Sequence, residues 1–395
     1  MTLLKIVPSV ESVLRKMQNK KKRIFVIAGE VSGDVLGGHI MSHANGAEFI
    51  GIGGENMKRA GLKSLFPMSD LSVMGIIEVL FHAKTLTKRI RQTVDAILEY
   101  KPDLVLTIDS PGFAKSVIKK IRSSSDGKKL IEQGLRFHHV VAPQVWAWRS
   151  GRAKKYARLF DRLYSFFDFE IPYFTKYGLD TVAVGHPIAD NLIGRYQRVD
   201  AEKIITLIPG SRMSEVKRLL PLMRDVADRL VRNGYSKYKF VIPTVETTVD
   251  YVKHAISNWT VVPELVPATE RYDIYSKTYI AIAASGTVSA ELAMLHVPTV
   301  VVYKMNPITT WIGRRLIHVK WVSLVNILLN REVFPECLGG DANTECIMTA
   351  VQQLTIPSKR KKMIATLKSA DILWKKDNDG ASKLIAQEIL KKDIV

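Results

Sequence analysis

Cysteine is nearly absent from this 395-residue chain: only Cys337 and Cys346 occur, neither in a CxxC pair nor beside clustered histidines. That spacing supports no zinc site and no disulfide framework, so both are read as packing residues. Long apolar runs are missing too. Lys, Arg, Asp or Glu interrupts every stretch before it approaches the roughly 20 residues needed to cross a bilayer. No compact apolar segment followed by a small-residue cleavage site opens the sequence, so secretion is not supported and a cytoplasmic location is expected. Acidic residues are few beside basic ones: 58 Lys and Arg against 38 Asp and Glu leave a net charge of +20. Such an excess attracts polyanions, whether nucleic acid, an anionic membrane surface or phosphorylated substrates. Against nucleic acid, the sequence has no zinc-finger spacing, no aromatic RNA-binding strand and no basic zipper.

What is present is ordinary for a folded protein, with 47% hydrophobic and 24% charged residues. The length exceeds what one core supports, so two domains are expected. Residues 1–22 form a basic extension in which Leu3, Val7, Val10, Leu14 and Met17 recur at helical spacing before Lys20-Lys21-Lys22-Arg23. A helix lying on a membrane and a solvated tail interrupted by Pro8 both fit that pattern. From residue 23 short apolar runs alternate with longer amphipathic ones, which predicts parallel sheets covered by helices. Strands are expected at 24–28, 48–52, 104–108, 138–141, 163–165 and 182–184. After Gly185-His186-Pro187 and a polar stretch, a second series follows at 204–208, 239–242, 261–262, 279–283 and 299–302. The expected division is 23–190 and 191–342, two doubly wound domains with a cleft between them. Helices over 343–395 would then pack across the domains or onto a partner chain.

Gly51-Ile52-Gly53-Gly54 superficially resembles a dinucleotide fingerprint, but Asn56 occupies the third glycine position, so NAD or FAD binding is set aside. More informative are strand ends that deliver charge. The first strand runs into Gly29-Glu30-Val31-Ser32-Gly33-Asp34, where Glu30 reaches the carboxyl edge of a sheet as a substrate contact or part of a structural turn, and Ser32 or Asp34 can cap the next helix. Asp109 ends the run Leu104-Val105-Leu106-Thr107-Ile108 and is the first choice for a general base, with a helix cap as the alternative.

Pro209-Gly210-Ser211-Arg212 follows another strand and opens a long helix, so amide groups, a hydroxyl, the helix dipole and a guanidinium converge on an anion-sized space. Ser285-Gly286-Thr287 repeats the arrangement, and two such turns suggest a pyrophosphate. Glu291, one turn on, suits ribose hydroxyls or faces solvent. Asp377-Asn378-Asp379 is assigned to a turn, and neither a metal nor a cofactor is called for. Val73-Met74-Gly75-Ile76-Ile77 with Lys84, Lys88, Arg89 and Arg91 beyond it reads as an acyl-binding patch with a basic skirt, or as a core helix. Trp146 and Trp148 after a strand either wall a substrate site or cement a core.

Residues 29–34, 109–113, 143–149, 185–187, 209–212, 285–295 and Val322-Ser323-Leu324-Val325-Asn326 together resemble the lipid-A-disaccharide synthase family of Gram-negative bacteria over nearly the whole chain. The resemblance implies an inverting GT-B glycosyltransferase that joins UDP-2,3-diacylglucosamine to the 6-hydroxyl of 2,3-diacylglucosamine 1-phosphate, without a cofactor. It makes Asp109 the base, with Glu30 next in line, and Arg212 the residue at the UDP pyrophosphate. Gly210, Ser211, Ser285, Gly286, Thr287, Glu291 and Asn326 complete the nucleotide site. Ser32, Val73, Met74, Ile76, Ile77 and Trp146 fall to the acceptor and its acyl chains. The expected setting is the cytoplasmic side of the inner membrane, as a peripheral protein and a candidate homodimer, with no nucleic-acid partner. Rival readings are a UDP-N-acetylglucosamine epimerase or a polyprenyl-linked sugar transferase of the same fold.

Overall fold

The computed structural model describes residues 21–71, 76–147, 150–199, 202–304, 320–376 and 379–391. The basic extension through residue 20, Val73, Met74, Trp148, Arg149 and the pair Asp377-Asn378 lie outside them.

Apolar runs long enough for one strand and buried on both faces read as parallel-sheet interior. Seven strands follow this rule in the first half: β1 (Lys22–Ala28), β2 (Ala47–Ile52), β3 (Lys63–Ser64), β4 (Leu104–Ile108), β5 (Arg136–Val140), β6 (Arg162–Ser165) and β7 (Asp180–Ala183). They form one parallel sheet in the order β3-β2-β1-β4-β5-β6-β7. The second half supplies β8 (Ile204–Ile208), β9 (Lys239–Thr244), β10 (Glu264–Pro267), β11 (Ile280–Ala284), β12 (Thr299–Tyr303) and β13 (Glu336–Leu338), ordered β10-β9-β8-β11-β12-β13. The strand expected at 261–262 is displaced to β10, where Pro263 precedes the pairing residues and Val262 is 60% exposed.

Chain contacts gather the structure into two compact units. Unit 1 takes the described residues of Met1–Pro143, Gly151–Val184 and Ala381–Val395; unit 2 takes Gln144–Ser150 and Gly185–Gly380. The C-terminal helices are therefore divided. Thr344–Thr355, Pro357–Ser369 and Asp371–Trp374 belong to unit 2, while Ala381–Leu390 packs on the helix Val31–His43 of unit 1. There Ile385, Ala386 and Ile389 are fully buried in one cluster with Leu36, Ile40 and Met41. Each buried isoleucine contributes about 1.5–3 kcal/mol. Arg162 adds an ion pair to Glu388 at 2.9 Å, and the Lys22 ammonium donates to the Lys391 carbonyl at 2.8 Å.

Cys337 and Cys346 are not separate packing residues: they are joined by a disulfide with 6.1 Å between Cα atoms. Cys337 sits in β13, a strand the sequence pattern did not reveal. Cys346 lies in the first turn of Thr344–Thr355, which the Asn343 side chain caps by accepting from the Cys346 amide at 2.9 Å. Strand and capped helix together bring two thiols nine residues apart into contact.

Candidate active site

In both sheets the chain winds outward from an inner strand in one direction and then restarts beside it in the other. Unit 1 reverses between β1 and β4, and unit 2 between β8 and β11. Beyond the carboxyl ends of strands at such a reversal, open α/β sheets bind ligands.

In unit 1 that position holds two carboxylates. Ala28 pairs with Ile108 at the ends of β1 and β4, so Glu30 and Asp109 leave neighbouring strands at one edge. Glu30 is exposed and forms the N-cap of Val31–His43 without a side-chain cap bond. Its carboxyl pKa is raised, first by desolvation and then by the charge of Asp109. Asp109 is half-buried, and burial raises its pKa against the opposing hydrogen bond from the Ser110 amide at 2.9 Å. Both Asp109 and Ser110 have left-handed backbone, with φ of 52° and 47°, and Pro111 then starts the helix Pro111–Ser123. The tight turn presses Ser110 against β1: a Cβ on Gly29 would collide with the Ser110 side chain, so glycine is required there. A carboxylate held this way accepts a proton from a hydroxyl more readily than a solvated one.

Asp34 does not cap its own helix. Buried within Val31–His43, it accepts hydrogen bonds from the amides of Gly54 (2.7 Å), Asn56 (3.0 Å) and Met57 (3.1 Å) and from the Asn56 side chain (2.8 Å). Those bonds lower its pKa despite opposing desolvation. They also occupy the glycine-rich turn after β2 with a protein carboxylate, and they cap the helix Glu55–Arg59 from a distance. Ser32 is exposed on the first turn of Val31–His43. Trp146 is half-buried in the turn after β5, in a segment grouped with unit 2. Ile76 and Ile77 begin the helix Ile76–Tyr100, but their side chains are outside the description, as are Val73 and Met74.

The sequence reading missed a basic group beside Asp109. Lys115 lies one turn into Pro111–Ser123, with its ammonium 5.5 Å from the ring centre of the buried Tyr156. Tyr156 shares the helix Arg152–Ala157 with Arg152 and Lys155. Burial lowers the Lys115 pKa, and the charges of Arg152 and Lys155 lower it further. Tyr156 has its pKa raised by burial, with Arg152 opposing and Asp109 reinforcing. His139, wholly buried behind them, bonds Thr107 Oγ1 at 2.6 Å and has its pKa pushed down to about 3, so it stays neutral. The signal available in sequence was only a lysine six residues after Asp109.

Unit 2 brings its two predicted turns side by side. Ile208 pairs with Ala283, so Pro209-Gly210-Ser211 and Ser285-Gly286-Thr287 leave adjacent strands at the switch point. Gly210 has φ +108°, open to glycine, and a Cβ there would strike the Glu215 side chain. Arg212 is the N-cap of Met213–Leu230, with its side chain 78% exposed and paired to Glu215 at 2.9 Å. A pair that exposed is weak and readily exchanged for a stronger anion. Gly286 is the N-cap of Thr287–Met294, and Ser285 is half-buried with its amide donating to Val302 O at 3.0 Å. Glu291 does not face solvent. It is 7% exposed and accepts from the Tyr272 hydroxyl at 3.0 Å and from Arg271 Nε at 3.3 Å.

Asn326 departs furthest from its expected role. Fully buried, its Oδ1 accepts from the amides of Val333 (2.8 Å) and Phe334 (2.9 Å), while Nδ2 donates to Phe334 O and Glu336 Oε1, both at 2.8 Å. All four of its hydrogen-bonding places are taken within the protein, so the amide has nothing left to offer a nucleotide directly. Glu336 in turn receives the amides of Val322 and Ser323, fixing the loop that leads into Leu324–Leu329. Among the described residues no group of three potential metal ligands forms, and no helix is long and apolar enough to cross a membrane.

Residues 24–389 match the family model described as lipid-A-disaccharide synthetase. The chain belongs to that family. It is a glycosyltransferase of lipid A disaccharide synthesis, and two relatives show how fully lipid-A-disaccharide synthases align with it. The one from Rhodospirillum centenum is 40% identical over 357 residues, covering 86% of this chain and 87% of the relative. The one from Rickettsia canadensis is 36% identical over 391 residues, covering 94% and 98%. Solved structures with the same GT-B fold include the UDP-GlcNAc 2-epimerase from Neisseria meningitidis bound to UDP-GlcNAc, with TM-score 0.60, 11% identity and coverage of 94% and 100%. Acinetobacter baumannii MurG is similar at TM-score 0.59 and 13% identity, with the same coverage. A synthase fold is thus shared with enzymes of other activities, and chemistry must be argued from side chains.

Proposed function

We propose that this synthase transfers the 2,3-diacylglucosaminyl group of UDP-2,3-diacylglucosamine to the 6-hydroxyl of 2,3-diacylglucosamine 1-phosphate, inverting the donor anomeric carbon and releasing UDP. The observation that carries the reading is Asp109: a half-buried carboxylate with raised pKa, held in a strained turn at the switch point of unit 1. In this reading Asp109 removes the proton from the acceptor 6-hydroxyl as its oxygen attacks the anomeric carbon, and the C–O bond to UDP breaks on the opposite side. Glu30 supports the acceptor side. Residues 23–190 carry the acceptor functions and 191–342 the donor functions.

The leaving diphosphate is held by the amides of the turns 209–212 and 285–287 and by Arg212, which exchanges Glu215 for phosphate oxygens. Glu291, steadied by Arg271 and Tyr272, accepts from the ribose hydroxyls. Asn326 acts through the loop it braces. Fold neighbours that hold UDP-GlcNAc or UDP support a uridine diphosphate donor. The net charge of +20 suits anionic substrates presented at the inner-membrane surface.

Product analysis with purified enzyme tests this reading. Disaccharide and UDP in equal amounts are expected from the two acylated substrates, with Asp109→Asn retaining UDP affinity while losing roughly a hundredfold or more in kcat. The acid limb of the wild-type pH profile should fall above the ordinary aspartate range. Conversion of UDP-N-acetylglucosamine without any acceptor would instead make the chain an epimerase.

A further inference from the structure

The basic group beside Asp109 has no role in the steps above. Lys115, Arg152 and Lys155 come from two helices that follow different strands of unit 1, and they lie close enough for Arg152 and Lys155 to depress the Lys115 ammonium, on top of its burial. Like charges gathered at a half-buried place are unfavourable in the empty protein. No carboxylate compensates: among the described residues, neither Lys115 nor Lys155 forms an ion pair. The Lys115 ammonium is instead fixed over the ring of Tyr156, a side chain that is itself 1% exposed and firmly packed against His139 and Phe160. Three cations held on packed helices and lacking a built-in counter-ion form a receptor for a multiply charged anion.

The identity of that anion follows from the neighbour. Asp109 acts electrostatically on Tyr156, as does Arg152, so the catalytic carboxylate borders the cluster. A ligand filling both places presents a hydroxyl to Asp109 and a phosphate to the lysines, with one sugar between them. We propose that Lys115, Arg152 and Lys155 bind the phosphate monoester of the acceptor sugar, and so orient its hydroxyl on Asp109 and select phosphorylated over unphosphorylated acceptors. Arg152 forks onto two phosphate oxygens while the lysines supply point charges. The proposal rests on the acceptor chemistry given under Proposed function. An anionic lipid headgroup offers the same phosphate chemistry, and the experiment separates the two.

Wild type, Lys115→Met and Lys115→Arg are assayed in neutral-detergent micelles, with UDP-2,3-diacylglucosamine and either 2,3-diacylglucosamine 1-phosphate or its dephosphorylated form. Met keeps the aliphatic packing on Tyr156 without the charge, and thermal melts confirm that each variant folds. The expected result is a KM for the phosphorylated acceptor raised roughly ten- to a hundredfold in Lys115→Met. Donor KM and the residual rate on the dephosphorylated acceptor stay unchanged, and Lys115→Arg restores most of the loss. Equal loss on both acceptors, or a rise in donor KM alone, overturns the proposal. A defect that appears only when vesicles containing anionic phospholipid replace the micelles also overturns it, and assigns the cluster to headgroups. If wild type makes no disaccharide from either acceptor, the proposed reaction itself fails and this assignment with it.

Discussion

Asp109 and Ser110 occupy consecutive left-handed conformations, a backbone state that costs non-glycine residues about 1 kcal/mol or more each. The helix Pro111–Ser123 and the Gly29 contact hold them there. Burial adds a second cost through ionisation. Because the folded pKa of Asp109 lies above its unfolded value, its contribution to stability is complete only below the unfolded pKa and is lost as pH rises through the folded one. At neutral pH the charged carboxylate is a liability, and asparagine, which tolerates left-handed backbone, avoids it. Asp109→Asn should therefore be more stable at pH 7 by on the order of 1 kcal/mol, with the gap closing below about pH 4. Urea unfolding at both pH values checks this, and a gap independent of pH would show that ionisation is not its source. Glu30 and Asp109 were legible in sequence because each ends an apolar strand. Lys115, Arg152 and Lys155 were not, since only the order of the strands brings their helices together.

Among elements, the segment around Leu324–Leu329 depends on Asn326, whose amide joins it to Val333, Phe334 and Glu336. Replacement by alanine leaves two backbone amides and a carbonyl unpaired in a buried place. Asn326→Ala should cost about 3 kcal/mol or more, and should weaken donor binding only through loss of loop order. Chemical denaturation, together with hydrogen exchange at Val333 and Phe334, measures both effects. Unchanged exchange at these amides with donor affinity lost would restore Asn326 to direct nucleotide contact. The resemblance singled out this residue correctly as important, but a sequence motif cannot say whether an amide faces ligand or backbone. Short edge strands were similarly hidden. β3 and β13 have two and three residues, too few for periodicity to register, and the disulfide escaped with β13. The long inner strands, buried on both faces, were located to within two residues.

At the scale of the molecule, alternating apolar and amphipathic segments made two parallel sheets legible, and the charge made an anionic substrate legible. The return of Ala381–Leu390 to unit 1 was not, because a stripe of isoleucines does not reveal which surface it covers. Truncation after residue 380 uncovers Ile40, Met41 and their neighbours and should lower the stability of unit 1 by several kcal/mol while sparing the central strands of unit 2. Exchange protection in β1 and β4 against β8 and β11 distinguishes the two, and equal loss in both would mean that the helix serves the whole fold. The same return also sets a timetable. During synthesis the usual sequence is for an N-terminal domain to finish first. Here the chain emerging first lacks its closing helix until residue 390 has left the ribosome. Unit 2 can complete its core while the face of Val31–His43 still waits, open to chaperones.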